Sequence, residues 1–314
     1  MDAIEEEISN PNQAAALLEQ RLPDDHMGLD IWDAWISALV APSRVLEKVK
    51  QAMRVAFARM AFRNGILSAQ PRPYHNEGHI NDLLERLILC SRHSSSESVP
   101  EYGWMLLSFF AATHDLRQAE DNTPLENTLV GRNESASYDE AIRIIDMVDP
   151  EQKFRQKYRD ILQLMIYGST FSHGQGAGLV FEGNLALPLL AEVNDITAVD
   201  RELVLLACDI DTANVSLSIT QYAQSAIKVF RELQSHHNPE YPAQAFFSKQ
   251  QYRYFLELQK FHSVIGKSVF EPMKQHNTDA IQKLSNAISE LPAETSQEDV
   301  IVAFSTTAQQ LDHG

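Results

Sequence analysis

Apolar residues that recur at spacings of three and four dominate this chain and decide its fold class. Between residues 44 and 63, for example, Val49, Met53, Phe57 and Met60 fall on one face of a helix. Alternating patterns long enough for strands are nearly absent, and the chain holds only 12 glycines and 13 prolines. The sequence therefore predicts an all-α protein. Further helices are expected near residues 80–90, 102–113, 136–148, 154–168, 198–223, 248–266 and 278–290.

Differences in polarity along the chain predict three segments. Residues 1–40 are acidic and interrupted by proline, so we expect an arm or capping helices there. Residues 41–290 carry the helical periodicity and are expected to form one helical catalytic domain. Residues 291–314 are polar and are expected to form a mobile tail.

The charge balance and the N-terminal sequence exclude several classes of protein. The chain has 26 Lys and Arg against 43 Asp and Glu, a net charge of −17, so we expect no nucleic-acid partner. The start, MDAIEEEISN, has neither the basic nor the apolar region of a secretory signal. No apolar run approaches the ~18 residues of a membrane span. The sequence thus predicts a cytoplasmic protein that does not enter a membrane.

Three groups of ionisable residues interrupt otherwise apolar helical segments. Taken separately, each group could have a structural role, as a helix cap or as part of a salt bridge. Burying such groups is costly, however, unless they are paired or bind a metal. The groups are His75 and His79 in RPYHNEGHI, His114 and Asp115 at the end of the apolar segment 102–113, and Asp209 and Asp211 in LLACDIDTAN.

Taken as the pattern His…His-Asp…Asp, with one histidine from the first group and one aspartate from the third, they supply two imidazoles and two carboxylates from three helices. This is the donor set of a divalent cation of borderline or hard character, whose coordination shell water would complete. A cation of this kind lowers the pKa of a bound water toward neutrality and makes it a nucleophile. The sequence therefore predicts a metal centre with hydrolytic chemistry.

The same residues resemble the HD-domain superfamily of metal-dependent phosphohydrolases. The segment YHNEGH (74–79) is similar to the YHNxxH signature of the class I cyclic-nucleotide phosphodiesterases. RPYHNEGHI and NESASYDEA (133–141) are similar to segments of a bacterial group of predicted metal-dependent HD phosphohydrolases. STFSH (169–173) is similar to the T-x-x-H segment of that group. The resemblance implies an HD-type helical bundle, here with extra helices at both ends.

The resemblance also implies roles for individual residues. His79, His114 and Asp115 match the metal ligands, and the remaining ligand is Asp211, with Asp209 as the alternate. His75 matches the acid that protonates the leaving oxygen, and Glu134 matches a carboxylate that positions water, so the catalytic set is His75, Glu134 and Asp115. The expected substrate-binding residues are Tyr74, Asn76, Thr170, His173 and Asn214.

The leading functional hypothesis is a metal-dependent hydrolase of a small-molecule phosphodiester or phosphomonoester, with a nucleotide among the substrates considered. One divalent ion (Mn, Mg, Fe or Zn) is expected, and a second could be bridged through Asp115. The chain departs from the phosphodiesterases because LRQAED follows His114-Asp115, without the next histidine of HDxxHxG. The alternatives are a di-iron oxygenase of the same fold and an HD-like protein that binds ligands or partners without catalysis.

Overall fold

A computed structural model shows helices throughout the part of the chain that it describes. The described residues are 2–21, 27–94, 98–118, 130–151, 154–172, 175–176, 179–180, 182–236 and 238–312. Within these ranges no sheet has more than two strands, which confirms the all-α prediction. Within the same ranges, no helix combines the length and apolarity needed to cross a membrane.

The chain divides into two compact units. The first comprises Met1–Asp211 and Ser263–Ile265, and the second comprises Thr212–His262 and Gly266–Gly314. The division into segments 1–40, 41–290 and 291–314 stays a prediction, and the fold is described below by these two units.

The first unit contains ten helices within its described residues. They are α1 (Ala3–Glu7), α2 (Pro11–Arg21), α3 (Met27–Leu39), α4 (Arg44–Arg63), α5 (Glu77–Ser91), α6 (Glu101–Thr113), α7 (Arg132–Val148), α8 (Gln156–Gly168), α9 (Ala186–Glu192) and α10 (Ala198–Asp211). Two strand pairs lie between α8 and α9: β1 (Phe171–Ser172) with β4 (Gly183–Asn184), and β2 (Gln175–Gly176) with β3 (Leu179–Val180).

Helix α6 forms the centre of this unit. Its residues from Gly103 to Thr113 are all buried, as expected for a helix that is apolar on every side. Helices α4, α5, α8 and α10 pack around it, and α3 also contacts it. Since α6 ends at Thr113, the next two residues, His114 and Asp115, lie just beyond its C-terminal end, and both are buried.

Local capping fixes where the helices beside α6 begin and end. The Ser43 hydroxyl accepts a hydrogen bond from the Leu46 N–H at the start of α4. The Asn76 side chain accepts one from the Gly78 N–H, at 2.8 Å, at the start of α5. Helix α5 therefore begins after His75, and only His79 of the two histidines lies on it.

A buried network of arginines and acids joins α1, α4 and α7 near the end of α6. Glu140 of α7 is fully buried and accepts from Arg59 (3.2 Å), Arg63 (3.0 Å) and Arg117 (2.6 Å). Glu5 of α1 is equally inaccessible and pairs with Arg117 and Arg143. Breaking one partner of a buried pair is strongly destabilising. Residues 1–40 therefore include a helix that is tied to the first unit through Arg117, two residues after Asp115.

The second unit is also helical. Its elements are a 3₁₀ turn (Ala213–Ser216), α11 (Ile219–His236), α12 (Ala243–Ala245), a π-helical turn (Phe246–Gln250), α13 (Gln251–Arg253), a second π-helical turn (Tyr254–Leu258), α14 (Val264–His276, in this unit from Gly266), α15 (Thr278–Ser289) and α16 (Gln297–Asp312). Helix α16 packs on α11 and α15.

Two of the predicted helices are interrupted. The helix expected over 198–223 ends at Asp211, and α11 starts only after Ser218, whose hydroxyl accepts from the Gln221 N–H. The helix expected over 248–266 ends at Leu258, because Gln259 has an extended backbone. Apolar periodicity continues through both interruptions, so it did not reveal them.

The predicted polar tail is a packed helix from Gln297 onward. Val300, Ile301, Phe304 and Ala308 are buried, at the spacings of one helix face. The high polar content of residues 291–314 as a whole concealed this buried stripe in the sequence.

Replacing Phe304 with alanine is expected to destabilise the protein strongly. The Phe304 ring is fully buried and its centroid lies 4.5 Å from that of Phe247. A change of this kind costs about 3–5 kcal/mol. The matched change Val302→Ala, at a position that is 61% exposed, should cost below about 1 kcal/mol. Urea unfolding followed by circular dichroism compares the two. Equal midpoints for the two variants would show that α16 is not packed as described.

Candidate metal centre

Four side chains from α5, α10 and the end of α6 converge in the first unit. His79, His114, Asp115 and Asp211 each offer one ligand atom, and all four atoms lie within 4.8 Å of one another. Both histidines are buried, with 3% and 2% of their surface exposed. This group could hold a metal ion.

The distances between these atoms suit a single ion. His79 Nε2 lies 3.2 Å from Asp211 Oδ1 and 3.6 Å from Asp115 Oδ2. His114 Nε2 lies 3.3 Å from Asp211 Oδ1 and 2.8 Å from Asp115 Oδ2. Ligands bound at about 2.0–2.2 Å from one ion, at right angles or at tetrahedral angles, lie roughly 2.8–3.6 Å apart.

An unpaired ring nitrogen gives a second indication. The Nε2 atom of His114 is buried and has no hydrogen-bond partner among the described residues, because Asp115 Oδ2 approaches it without the alignment of a hydrogen bond. Buried polar groups without partners are rare. An ion between the four side chains would use this nitrogen and both carboxylates together.

The electrostatics favour positive charge at this point. Burial lowers the pKa of His114, but the carboxylates of Asp115 and Asp211 outweigh burial and raise it well above the usual value. Burial lowers the pKa of His79, although the nearby Asp211 carboxylate acts to raise it. Burial raises the pKa of both aspartates, yet the imidazoles, His114 foremost, hold both below their usual range. Both carboxylates are therefore ionised and available to a cation.

Aromatic packing orients the two ligating rings. His114 stacks on Phe110, with centroids 4.7 Å apart, and His79 lies 4.8 Å from the ring of Tyr74. The Nδ1 atoms of both histidines are buried without hydrogen-bond partners among the described residues. Ring contacts, and not Nδ1 hydrogen bonds, therefore direct Nε2 toward the carboxylates.

Asp209, the alternate ligand, lies outside this group. Asp209 and Asp211 are two residues apart, which is a rotation of about 200° around the helix axis, so they face nearly opposite sides of α10. Asp209 is fully buried, and its Oδ2 accepts hydrogen bonds from the Ser263 N–H (2.8 Å) and hydroxyl (2.6 Å). Asp209 thus fastens residues 263–265 to α10, and Asp211 is the member of the cluster.

His75 lies at the edge of the cluster. Its Nε2 is 3.9 Å from Asp115 Oδ2, and its side chain is 29% exposed. Its ring meets that of Tyr74 edge to face at 4.8 Å. His75 precedes α5, so its position depends on the turn before the helix and not on the helical spacing from His79.

Glu134 belongs to the surroundings of the cluster. It stands in the first turn of α7 and folds back over Gly131, where an added Cβ would lie 2.0 Å from Glu134 Oε2. Burial, and further the charge of Asp115, raise the pKa of Glu134 to about 7. The carboxyl can therefore hold or release a proton near neutral pH.

The remaining predicted residues have structural contacts. Both polar atoms of the Asn76 side chain stabilise the turn before α5: Oδ1 accepts from Gly78 N–H, and Nδ2 donates to the Arg72 carbonyl at 2.6 Å.

The Thr170 hydroxyl accepts from the Gly131 N–H at 3.4 Å. Asn214 belongs to the second unit and bonds Ser225 there. His173 lies outside the described residues.

Three residues that sequence reasoning missed hold the ligands in place. Asn64, at the end of α4, donates to the carbonyls of Asp115 (3.2 Å) and Leu116. Gln118 donates to Asp115 Oδ1 at 2.7 Å. Arg86, buried on α5, donates to the Ile210 and Asp211 carbonyls at 2.7 and 3.0 Å. The sequence signal for the role of Arg86 was its position, an arginine two helical turns after His79 on the same helix.

Comparison with known proteins gives no relative from which to assign the site. No protein-family model, no curated protein and no solved structure matches the chain. The functional argument therefore rests on the residues of the cluster.

Replacing Arg86 is expected to weaken metal binding more than its effect on folding explains. Arg86 caps the last carbonyls of α10 and so fixes the position of Asp211 relative to His79. Loss of a residue that orients a ligand typically costs 10–100-fold in affinity. Arg86→Met should therefore raise the Kd for Mn²⁺ by about 10–100-fold, and Arg86→Lys by less.

Arg63→Met provides the matched control. Arg63 is similarly buried, but its ion pairs are to Asp2 and Glu140. We expect it to lower stability and to leave the Mn²⁺ Kd near that of the unaltered protein. If both methionine variants lost the same metal affinity, Arg86 would have no specific positioning role.

Proposed function

We propose that this chain is a metal-dependent phosphohydrolase that acts on a phosphodiester or phosphomonoester of a small molecule. The observation that carries the proposal is the convergence of two imidazoles and two ionised carboxylates on one partly buried point. The similarity of YHNEGH and of His114-Asp115 to HD phosphohydrolase motifs supports it.

In this proposal His79, His114, Asp115 and Asp211 hold a divalent cation. When bound, that cation supplies Lewis acidity and lowers the pKa of water. The four side chains offer an ion two negative charges. With a divalent cation bound, the two negative charges would make the centre electrically neutral, so that it could accept an anionic phosphate ester.

The remaining chemistry falls to residues at the edge of the cluster. His75 is partly exposed, and its Nε2 lies 3.9 Å from Asp115 Oδ2. In this proposal that nitrogen gives a proton to a departing alkoxide. Asp115 stabilises that proton until it is transferred. Glu134, with a pKa of about 7, can hold a proton from the attacking water.

The proposal is tested by release of inorganic phosphate or alcohol from a panel of small phosphate esters with Mn²⁺, Mg²⁺ or Fe²⁺. His114→Ala should lose bound metal and reduce turnover to background. His93→Ala, at an exposed histidine whose ring contacts the Leu89 carbonyl, should leave turnover unchanged. Metal-stimulated hydrolysis that survives His114→Ala would contradict the assignment, as would the absence of hydrolysis across the panel.

The acid role of His75 makes a separate prediction. A general acid contributes about 10²–10⁴-fold, and only where the leaving group needs a proton. His75→Ala should therefore lower kcat by about that factor for an alkyl ester, while a nitrophenyl ester loses far less and bound metal is retained. Equal losses on the two esters would instead make His75 a positioning residue.

A further inference from the structure

The two carboxylate oxygens of Asp115 have different surroundings. Oδ2 faces the imidazoles, at 2.8 Å from His114 Nε2 and 3.6 Å from His79 Nε2. Oδ1 accepts a hydrogen bond from Gln118 Nε2 at 2.7 Å. A second ion bridged through Asp115 would bind on the Oδ1 side, because Oδ2 faces the first. The contact between Oδ1 and Gln118 therefore decides whether this carboxylate can bridge two ions.

Contacts at three atoms hold Gln118 in this orientation. Besides the bond from Nε2 to Asp115, its main-chain carbonyl accepts from the buried guanidinium of Arg72. Its Oε1 accepts from Asn133 Nδ2 at 3.5 Å. An ionised carboxylate can only accept hydrogen bonds, so the donor end of the Gln118 amide must face Asp115. The amide is thus fixed with its N–H groups toward Oδ1.

A donor in this position excludes a cation from the Oδ1 side. The hydrogens of the Gln118 amide carry partial positive charge and point toward Oδ1. A divalent ion bound to this oxygen would lie about 2.0–2.2 Å from it, in competition with the amide donor. The ion would have to displace Nε2 and leave it without its acceptor. The amide could turn its own oxygen to the ion only by giving up its bonds to Asp115 and Asn133.

The described surroundings do not supply a second set of ligands. His75 Nε2 lies 3.9 Å from Asp115, and the oxygen that it approaches is Oδ2. Among the described residues, the four side chains of the metal centre are the one group of three or more histidine, cysteine or carboxylate donors that could hold an ion. Gln118 thus occupies the oxygen on which a second ion would depend.

We propose that Gln118 limits the metal centre to one ion by occupying the Oδ1 side of Asp115. This inference rests on the metal centre of the proposed function, and it depends neither on the substrate nor on hydrolysis. It makes Gln118 the residue that determines the number of ions.

An acidic side chain of the same shape at this position should reverse the limit. Gln118→Glu places a carboxylate oxygen where Nε2 now donates to Asp115. Two carboxylates at such a distance repel one another unless a proton or a cation lies between them. Above neutral pH and with Mn²⁺ present, a second ion should take that place.

The number of Mn²⁺ ions bound tests the proposal, by calorimetry and by electron paramagnetic resonance. Weak binding to the acidic surface is measured with His114→Ala protein and subtracted. The unaltered chain should hold one ion, with the spectrum of isolated Mn²⁺. Gln118→Glu should hold two ions about 3.5–4 Å apart, with the spectrum of a magnetically coupled pair. The control Gln51→Glu adds the same charge at an exposed position of α4 and should hold one.

Each contrary result has a distinct meaning. Two coupled ions in the unaltered chain would overturn the proposal and leave the metal centre in place. A single ion in Gln118→Glu, or a second ion without magnetic coupling, would show that Gln118 does not limit the centre. The absence of any Mn²⁺ site that His114→Ala removes would overturn the metal centre and this proposal together. The ion count does not depend on turnover, so a failed ester panel contradicts only the proposed activity.

Discussion

The attraction between two carboxylates and the positive charge they require is the interaction on which the first unit depends. Asp115 and Asp211 both face His79 and His114 within 3.6 Å, in a largely buried space. Ionised carboxylates in such a space are costly unless a cation or donors compensate them. This requirement explains why α5, α6 and α10 bring their ionisable residues to the same point.

Side-chain hydrogen bonds also hold the main chain around the four candidate ligands. Asn64 binds the carbonyl of Asp115, and Arg86 binds that of Asp211. Each uses carbonyl groups near the end of a helix, which lack partners within that helix. Arg117 extends this support to Glu140 and Glu5, so the turn after α6 is anchored to α7 and α1. The ligand geometry is thereby built into the packing of the helices.

The sequence predicted the helices and the members of the cluster better than it predicted how they are held. Periodicity gave the bounds of α4, whose apolar positions Val49, Met53, Phe57 and Met60 are all buried. It did not reveal the break after Asp211, where the apolar pattern continues although the backbone turns. The roles of Arg86 and Asn64 also escaped prediction, since their partners are carbonyl groups, which a sequence does not identify, although an arginine two helical turns after His79 was visible there. The resemblance favoured Asp211 over Asp209, and the structure adds the physical reason, because the Asp209 carboxylate accepts from Ser263 instead.

Calorimetric titration of the 314-residue chain with Mn²⁺ tests the central claim most directly, with Asp211→Asn and Asp209→Asn as the two variants compared. The account predicts that Asp211→Asn raises the Mn²⁺ Kd by at least about 100-fold, because it removes a charged ligand. Asp209→Asn should retain Mn²⁺ affinity within severalfold while it lowers the stability of the protein. Mn²⁺ binding that is insensitive to Asp211→Asn, or that is lost only in Asp209→Asn, would contradict the metal centre described.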